Sequence, residues 1–176
     1  TSDWWREEAA GQLTPVQGIR LDSNENPNGP AAAALDAVRS AFNEAARYPR
    51  SPASQLTTAL ARLHGVQEEN IVVGAGSGEI LRMAVYSFTS PTRPLVQGLP
   101  TFEEPGRCAE LIGTPIRGIP VDRQLRLDLD GMAAEVTGAG LVFLCNPNNP
   151  TATVHPARAV ADFIARVNKV SPTTIV

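Results

Sequence analysis

The amino-acid sequence predicts an α/β fold, with a mostly parallel sheet flanked by helices. Short apolar segments alternate along the chain with helical ones, at 94–97, 104–112, 114–121, 130–136 and 141–144. Alternating strands and helices favour right-handed crossovers, and therefore parallel strands. The 15 prolines and 14 glycines fall between these segments, which is typical of a compact α/β protein.

Upstream of these segments the periodicity predicts two helices, a strand and a third helix, at 31–46, 54–64, 71–73 and 79–88. The second helix is expected to bury Leu56, Leu60 and Leu63, because these leucines recur at helical spacing. Each predicted helix ends near a glycine or a proline, as residues that terminate helices do.

Two further elements complete the chain, a helix at 156–170 and the start of a strand at 173–176. This strand would end at the last residue, with no helix to cover it. We therefore expect the chain to be a fragment, or a nicked chain, of a longer protein.

Composition excludes several classes of function. A net charge of −3 gives no electrostatic basis for binding nucleic acid, and no apolar segment is long enough to span a bilayer. Cys108 and Cys145 fit neither a disulfide framework nor the spacing of metal ligands, so we expect no metal site and a reducing, cytoplasmic location. A removed N-terminal leader stays an alternative, because the sequence begins at Thr1.

The segment Asn146-Pro147-Asn148-Asn149-Pro150-Thr151 directly follows the apolar run 141–144. Its prolines end the strand abruptly, and its asparagines present amide groups at the carboxyl end of that strand. Ligands of open α/β sheets bind at this edge. The same composition is also typical of an ordinary strand-to-helix turn, in which Asn149 caps its own backbone.

A glycine-rich loop joins the strand predicted at 71–73 to the helix predicted at 79–88. Gly76, Ser77 and Gly78 let the backbone approach a ligand, and the first amides of the helix can bind an anion. The spacing matches neither the dinucleotide fingerprint nor a Walker loop, which disfavours a nucleotide-binding domain. A tight turn without a ligand is the alternative.

Other residue types that could carry chemistry are few. Phe102, just after a predicted strand, could stack on a flat heterocycle, although core packing is the commoner role of a lone phenylalanine. Tyr48 could offer its hydroxyl to an anion or cover the core. Neither His64 nor His155 has a catalytic partner at a suggestive spacing. Lys169, the one lysine of the sequence, falls on the polar face of the last helix and is expected in water.

Taken together, the chain resembles the amino-terminal part of the class I/II pyridoxal-phosphate aminotransferases, most closely the histidinol-phosphate aminotransferase group. The resemblance rests on an ordered set of motifs along almost the whole chain: Asn24-Glu25-Asn26-Pro27, Arg47-Tyr48-Pro49, Gly76-Ser77-Gly78-Glu79, Pro100-Thr101-Phe102 and the asparagine segment 146–151. It implies the large-domain half of the fold type I transferases, with residues 1–30 as an N-terminal arm and small-domain segment. Residues 31–176 would form the first part of the cofactor-binding large domain, truncated at its C-terminal end.

The resemblance also implies roles for individual residues around pyridoxal 5'-phosphate. The family residue matching Asn149 hydrogen-bonds the phenolic oxygen of the cofactor, and the aromatic residue matching Phe102 stacks on its ring. Residues matching Gly76, Ser77 and Gly78 form the loop that holds its phosphate. The tyrosine matching Tyr48 reaches the cofactor of a neighbouring subunit, which implies a homodimer. The resemblance further implies that Asn24 and Asn26 lie near the substrate.

The sequence departs from the family pattern in two places. Ala152 stands where family members usually have glycine, and Asn28 where a tyrosine is common. The Schiff-base lysine is expected beyond Val176, so no catalytic residue is assigned within these residues and this chain alone is expected to be inactive.

The implied function is an aminotransferase that moves an amino group between an amino acid, possibly histidinol phosphate, and a 2-oxo acid. A pyridoxal-phosphate decarboxylase of the same fold is one alternative. The other is a truncated, non-enzymatic module that binds a phosphate ligand or a partner subunit.

Overall fold

The computed structural model describes residues 24–48 and 52–176, apart from the side chains of residues 52–54. The chain divides into two compact units, residues 1–50 and residues 51–176. These units do not test which parts belong to the small and large domains of a longer protein, so that division stays a prediction.

The described part of the first unit contains helix α1 (Ala32–Ala41), which continues as a turn of 3-10 helix (Phe42–Glu44). This agrees with the helix predicted at 31–46. Alanine is the strongest helix former, and the helix begins with a run of it. An Arg39–Asp36 ion pair at 2.8 Å lies on its exposed surface.

The second unit holds the sheet and the helices that cover it. In chain order its elements are α2 (Pro52–His64), α3 (Gly76–Phe88), β1 (Leu95–Leu99), α4 (Glu104–Leu111), β2 (Ile116–Pro120), α5 (Leu129–Ala134), β3 (Leu141–Phe143) and α6 (Ala157–Val170). Each lies within a few residues of a predicted element. The α/β architecture expected from the alternation is therefore confirmed.

The sheet is parallel, with the strand order β2-β1-β3. Leu95 of the central strand pairs with Ile116 on one side and with Leu141 on the other. Ile175 forms an isolated parallel bridge to Leu141, whereas residues 172–173 form a turn, so only this one residue of the strand predicted at 173–176 pairs with the sheet. Because β1 is covered on both faces, its first four residues are buried, the apolar Leu95 and Val96 together with Gln97 and Gly98.

The core consists of two clusters, one on each face of the sheet, because successive residues of a strand point to opposite faces. Leu95 belongs to the cluster on the α3 and α4 side, together with Val85 and Cys108. Val96 belongs to the cluster on the α5 and α6 side, together with Met132 and Phe163. The sheet is therefore sandwiched between two helical layers.

The strand predicted at 71–73 is wrong. These residues have no regular secondary structure, although their composition favours a strand. A strand needs a neighbouring strand to satisfy its backbone groups, and no described strand pairs with this segment. The glycine loop is therefore preceded by an extended segment rather than by part of the sheet.

The predicted burial of the leucines in α2 is also wrong. Leu56 is 50% exposed and Leu63 is 76% exposed, whereas Leu60 is half-buried and Ala61 is buried. Among the described residues α2 packs mainly on the 3-10 turn Glu68–Asn70, which is too short to cover a whole apolar face. Helical spacing identified the apolar face correctly but did not determine its partner.

Gly140, just before β3, provides a test of how closely the backbone is packed. A Cβ atom there would overlap the carbonyl oxygen of Phe88, whereas one at Gly138 would have no neighbour within 4 Å. We expect Gly140→Ala to lower the free energy of unfolding by about 3 kcal/mol through overpacking. Gly138→Ala, a control that bears only the cost of its positive φ of 72°, should lose about 1 kcal/mol.

Urea unfolding of the two variants measures this difference. Equal losses in the two variants would mean that the backbone at 140 can move away from Phe88 without cost.

Candidate functional site

The loops that follow β1 and β3 meet at the carboxyl edge of the sheet. The two strands are neighbours and run in the same direction. The segment Pro100-Thr101-Phe102 leaves β1, and the asparagine segment 146–151 follows β3. Two of the motifs singled out in the sequence are therefore adjacent in space because their strands are adjacent in the sheet.

Asn148 joins these two loops. Its side chain is almost fully buried, at 2% exposure. The side-chain oxygen accepts a hydrogen bond from the Thr101 hydroxyl at 2.8 Å. The side-chain nitrogen donates to the Pro100 carbonyl at 3.1 Å and to the Thr151 hydroxyl at 2.8 Å. The loop that carries Phe102 is thus bonded directly to the residue before Asn149.

Asn149 differs from its neighbour. Its side chain is half-buried and, among the described residues, makes no hydrogen bond. The alternative in which Asn149 caps its own backbone is therefore wrong, because the neighbouring Asn148 makes the side-chain bonds that hold this turn. The donors and the acceptor of the Asn149 amide are therefore not used by the described residues.

Phe102 lies between a buried residue and a helix. Thr101 before it is buried, and α4 begins two residues after it, at Glu104. The ring itself is half-buried, so it is not the fully enclosed core residue that a lone phenylalanine most often is. Part of the residue is therefore accessible to solvent.

Helix α3 brings its first turn toward the same edge. The short connection 89–94 reverses the chain between α3 and β1, so the helix runs back against the strand. Thirteen residues of helix span about 20 Å, which is close to the roughly 17 Å of the five-residue strand. The amino end of α3 therefore lies near the level at which β1 ends.

An ion pair connects α3 to α4. Arg82 Nε lies 3.2 Å from a Glu104 carboxylate oxygen, and it also donates to the Gly78 carbonyl at 3.2 Å. One guanidinium thus contacts both the first turn of α3 and the helix that follows Phe102. Both side chains are partly exposed, so this contact is worth at most about 1 kcal/mol.

The glycine loop has a backbone geometry that few other residues tolerate. Gly76 has φ of 77°, and a Cβ at Gly74 would lie 2.9 Å from the Glu79 carboxylate. That carboxylate accepts a hydrogen bond from the Ala75 amide at 2.5 Å. The Ser77 and Gly78 amides belong to the first turn of α3, where a helix offers no intrahelical acceptor. Such amides suit an anion.

The other predicted residues belong to the first unit. Tyr48 is 98% exposed, so it covers no core there. Asn24 is exposed as well. The Asn26 side chain accepts a hydrogen bond from the Asn28 amide at 3.0 Å and donates to the Gly29 carbonyl at 3.3 Å, so it shapes its own turn. The proposed contacts of these residues with cofactor or substrate stay predictions.

Lys169 is exposed near the end of α6, as its position in the sequence predicts. His64 is exposed at the end of α2. His155 contacts the Leu127 carbonyl through its ring at 2.8 Å. It also lines a cavity of about 430 Å³ on the α5 and α6 side of the sheet.

Most of the charged groups that line this cavity already have partners in the protein. Arg166 bonds Asp130, Arg126 bonds Asp122, and Asp128 accepts from the Gly131 amide. The cavity is lined neither by Phe102 nor by Asn149. We therefore place the candidate site at the strand ends rather than in this cavity.

Sequence reasoning missed the hydroxyl groups that complete the Asn148 contacts. Thr151 lies 2.9 Å from Thr153, hydroxyl to hydroxyl, and Thr153 donates to the Leu125 carbonyl at 2.9 Å. Asn146 bonds the His155 backbone at 2.8 and 3.0 Å. The sequence does show threonines at positions 151 and 153, directly after the asparagines, but this pattern does not identify the groups they bond.

The loop after β2 is held by Asp122. Its carboxylate accepts hydrogen bonds from the backbone amides of Arg126 and Gln124, at 2.9 and 2.8 Å, and from the Arg126 side chain at 3.0 Å. These bonds, the Arg126 amide foremost, hold the pKa of Asp122 below its ordinary value. The loop carries Leu125, so Asp122 fixes the far end of the threonine contacts.

The structure is thus an α/β fold with a parallel sheet, and an unbonded amide and a half-buried aromatic ring lie in the loops that follow its strands. In this class of protein the carboxyl ends of the strands are where ligands bind. Comparison with known proteins shows its family. The family of class I and II aminotransferases matches residues 16–175, and the chain belongs to this family.

Individual proteins similar to this chain are aminotransferases as well. The chain is 38% identical over 162 residues to a histidinol-phosphate aminotransferase of Moorella thermoacetica, covering 92% of this chain and 42% of the relative. It is 38% identical over 153 residues to an aromatic amino acid aminotransferase of Thermobifida fusca, covering 86% and 42%. The chain thus spans about two-fifths of the length of the curated relatives it matches.

A solved structure shows the same fold. The histidinol-phosphate aminotransferase of Sinorhizobium meliloti, in complex with pyridoxal-5'-phosphate, superposes with a TM-score of 0.78 at 30% identity, covering 85% of this chain and 41% of that one. The fold is therefore the large-domain half of the fold type I transferases, as the motifs implied. Within the described residues, no helix combines the length and the apolar character needed to cross a membrane.

Substitution of Glu79 tests whether its hydrogen bond to the Ala75 amide stabilises the glycine loop. Glu79→Ala removes the acceptor of the Ala75 amide, and we expect a loss of about 1 kcal/mol in unfolding free energy, as for other capping side chains. Glu79→Gln keeps an acceptor and should lose less. Amide hydrogen exchange at Ala75 measures the local effect, and unchanged protection in Glu79→Ala would contradict it.

The lowered pKa of Asp122 predicts how the stability of the folded protein changes with pH. Because its pKa is lowered in the folded state, the ionised carboxylate stabilises the protein above its ordinary pKa. This contribution should disappear as the pH falls through the lowered value. The stability difference between the unsubstituted chain and Asp122→Asn should therefore shrink in acid, as measured by urea unfolding from pH 6 to pH 2. A difference that is constant with pH would contradict it.

Proposed function

We propose that the complete protein is an aminotransferase that uses pyridoxal 5'-phosphate to move an amino group between an amino acid and a 2-oxo acid. The proposal rests on membership of the aminotransferase family and on one structural observation. The Asn149 side chain makes no hydrogen bond among the described residues, and the neighbouring Asn148 is bonded to the loop that carries Phe102. Histidinol phosphate is the candidate amino substrate, since relatives named for it match most of the chain.

The residues present fit this cofactor. Asn149 would donate to its phenolic oxygen, and the half-buried ring of Phe102 would stack on the pyridine. The Ser77 and Gly78 amides, with the Gly76 turn before them, would hold the phosphate dianion at the amino end of α3. Each group would bind or orient, and the cofactor would supply the electron sink.

Two finer proposals concern the assembly and this chain by itself. Tyr48, exposed in the first unit, would offer its hydroxyl to the cofactor of a neighbouring subunit in a homodimer. Lys169 is the one lysine of the sequence and is exposed in α6, so these 176 residues would bind the cofactor without forming the covalent link needed for turnover. Asn24 and Asn26 would lie near the substrate.

Localisation is a further proposal. The two cysteines are free thiols in the structure, Cys108 buried and Cys145 half-buried. This supports a reducing compartment, and we propose the cytoplasm.

Titration of the 176-residue chain with pyridoxal 5'-phosphate, followed by equilibrium dialysis, tests the proposal. We expect saturable binding of one molecule per chain. Asn149→Ala should weaken it about tenfold, because a hydrogen bond to a charged oxygen is lost. Asn168→Ala, at an exposed position on α6, is the matched control and should bind normally.

Two outcomes would contradict the proposal: no saturable binding by the unsubstituted chain, or equal binding by Asn149→Ala and the control. In the complete protein, product analysis separates amino transfer from loss of a carboxylate, and a decarboxylated product would favour the alternative enzyme of the same fold.

A further inference from the structure

The hydrogen bonds around Asn148 form one directed network across three loops. Thr101 follows β1, Asn148 and Thr151 follow β3, and the network reaches the loop after β2 at Leu125. Each contact lies between 2.8 and 2.9 Å along this path, within the normal range for strong neutral hydrogen bonds.

The Leu125 carbonyl, at one end of the network, decides which group donates and which accepts in every hydrogen bond. The Leu125 carbonyl can only accept, so Thr153 donates to it, and Thr151 must then donate to Thr153. Thr151 consequently accepts from the Asn148 nitrogen, which places the Asn148 oxygen toward the Thr101 hydroxyl. The orientation of the Asn148 amide is thereby determined by its neighbours.

Asn148 uses all its side-chain donors in this arrangement. Its second N–H bonds the Pro100 carbonyl, and its backbone is bonded as well, donating to the Thr153 carbonyl at 2.9 Å and accepting from the Ala152 amide at 2.7 Å. It therefore has no N–H group left for a ligand, and its oxygens are buried with the rest of the residue, at 2% exposure. Its position decides instead where the neighbouring residues lie, Phe102 through Thr101 and Asn149 through the chain.

We propose that Asn148 is a positioning residue, which holds the Phe102 ring and the Asn149 amide in register for the flat ring of the ligand. This inference rests on the proposed function for the identity of that ligand. The phosphate end of the ligand would be held by α3, to which Asn148 makes no hydrogen bond. Loss of Asn148 should therefore affect ring recognition and leave phosphate recognition unchanged.

Three variants separate positioning from simple loss of folding. Thr101→Val keeps the shape of the side chain and leaves the Asn148 oxygen without its donor. Asn148→Asp keeps the shape and removes both N–H donors. Asn148→Ala removes all the bonds. The matched control is Asn168→Ala on the exposed face of α6, and circular dichroism with urea unfolding establishes which variants are folded.

The deciding measurement compares two probes in the folded variants, pyridoxal 5'-phosphate and inorganic phosphate. We expect dissociation constants for pyridoxal 5'-phosphate to rise about tenfold in Asn148→Asp and Thr101→Val, with those for inorganic phosphate changed less than about twofold. A parallel rise for both probes would show general loosening and overturn the inference. Unchanged binding of both probes would overturn it as well.

The loop after β3 can also be followed without a ligand, by measuring how fast a thiol reagent labels Cys145. Cys145 is half-buried, with its sulfur 3.4 Å from the Pro147 carbonyl, whereas Cys108 is 3% exposed. A thiol reagent should label Cys145 several times faster in Asn148→Asp and Thr101→Val than in the control. The double variant should label no faster than the faster single variant, because both substitutions break one network. Independent, multiplicative effects would overturn the coupling.

Failure of this inference is distinguishable from failure of the proposed function. If the unsubstituted chain does not bind pyridoxal 5'-phosphate, the proposed function fails and the role of Asn148 fails with it. If the unsubstituted chain binds and the Asn148 variants bind equally well, the proposed function stands and the positioning role alone is overturned.

Discussion

The candidate site depends on one buried amide. Asn148 bonds the loop after β1 to the loop after β3, and through two threonine hydroxyls it extends that contact to the loop after β2. Burying an amide costs free energy unless it is hydrogen-bonded, and here each polar atom of the side chain has a partner. The same bonds are therefore favourable only when all three loops are in place, which makes the arrangement of the loops cooperative.

The sheet explains why this contact can form. Parallel strands in the order β2-β1-β3 end at one edge, so the loops that follow them are neighbours although they are separated by dozens of residues in the chain. Apolar clusters cover both faces of the sheet, and polar side chains are concentrated beyond the strand ends. The core thus fixes the strands, the strands fix the loop origins, and the Asn148 network fixes the loops.

Much of this architecture could be predicted from the sequence, because it depends on local patterns. Apolar runs and helical periodicity identified β1, β3 and α6 within a few residues. The pattern failed where a partner decides the outcome. Residues 71–73 have strand composition but no described strand beside them, and Leu63 of α2 has helical spacing but remains exposed. Composition indicates what a segment can form, whereas the neighbouring chain decides what it does form.

The site shows the same limit at the scale of single residues. The motif directed attention to Asn149, and the structure leaves that amide unbonded, while the adjacent Asn148 makes the bonds expected of a turn residue. Two neighbouring asparagines cannot be distinguished by composition. They differ because one points into the space between two loops, and that space exists only after the strands have paired.

Two residues in the same loops have a strained backbone, which supports a role of the hydrogen-bond network in a binding site. Leu125 has φ of 61° and Ala152 has φ of 56°, a region that costs a residue with a side chain about 1–2 kcal/mol. Both residues are bonded into the network, Leu125 by its carbonyl to Thr153 and Ala152 by its amide to the Asn148 carbonyl. Glycine, usual at position 152 in the aminotransferases that this chain resembles, would adopt this conformation without that cost. Strained residues persist where surrounding contacts hold them, and such contacts concentrate at binding sites. The bonds around Asn148 therefore hold a strained backbone in place as well as two loops, and this is the arrangement expected of a site whose geometry must be fixed before its ligand binds.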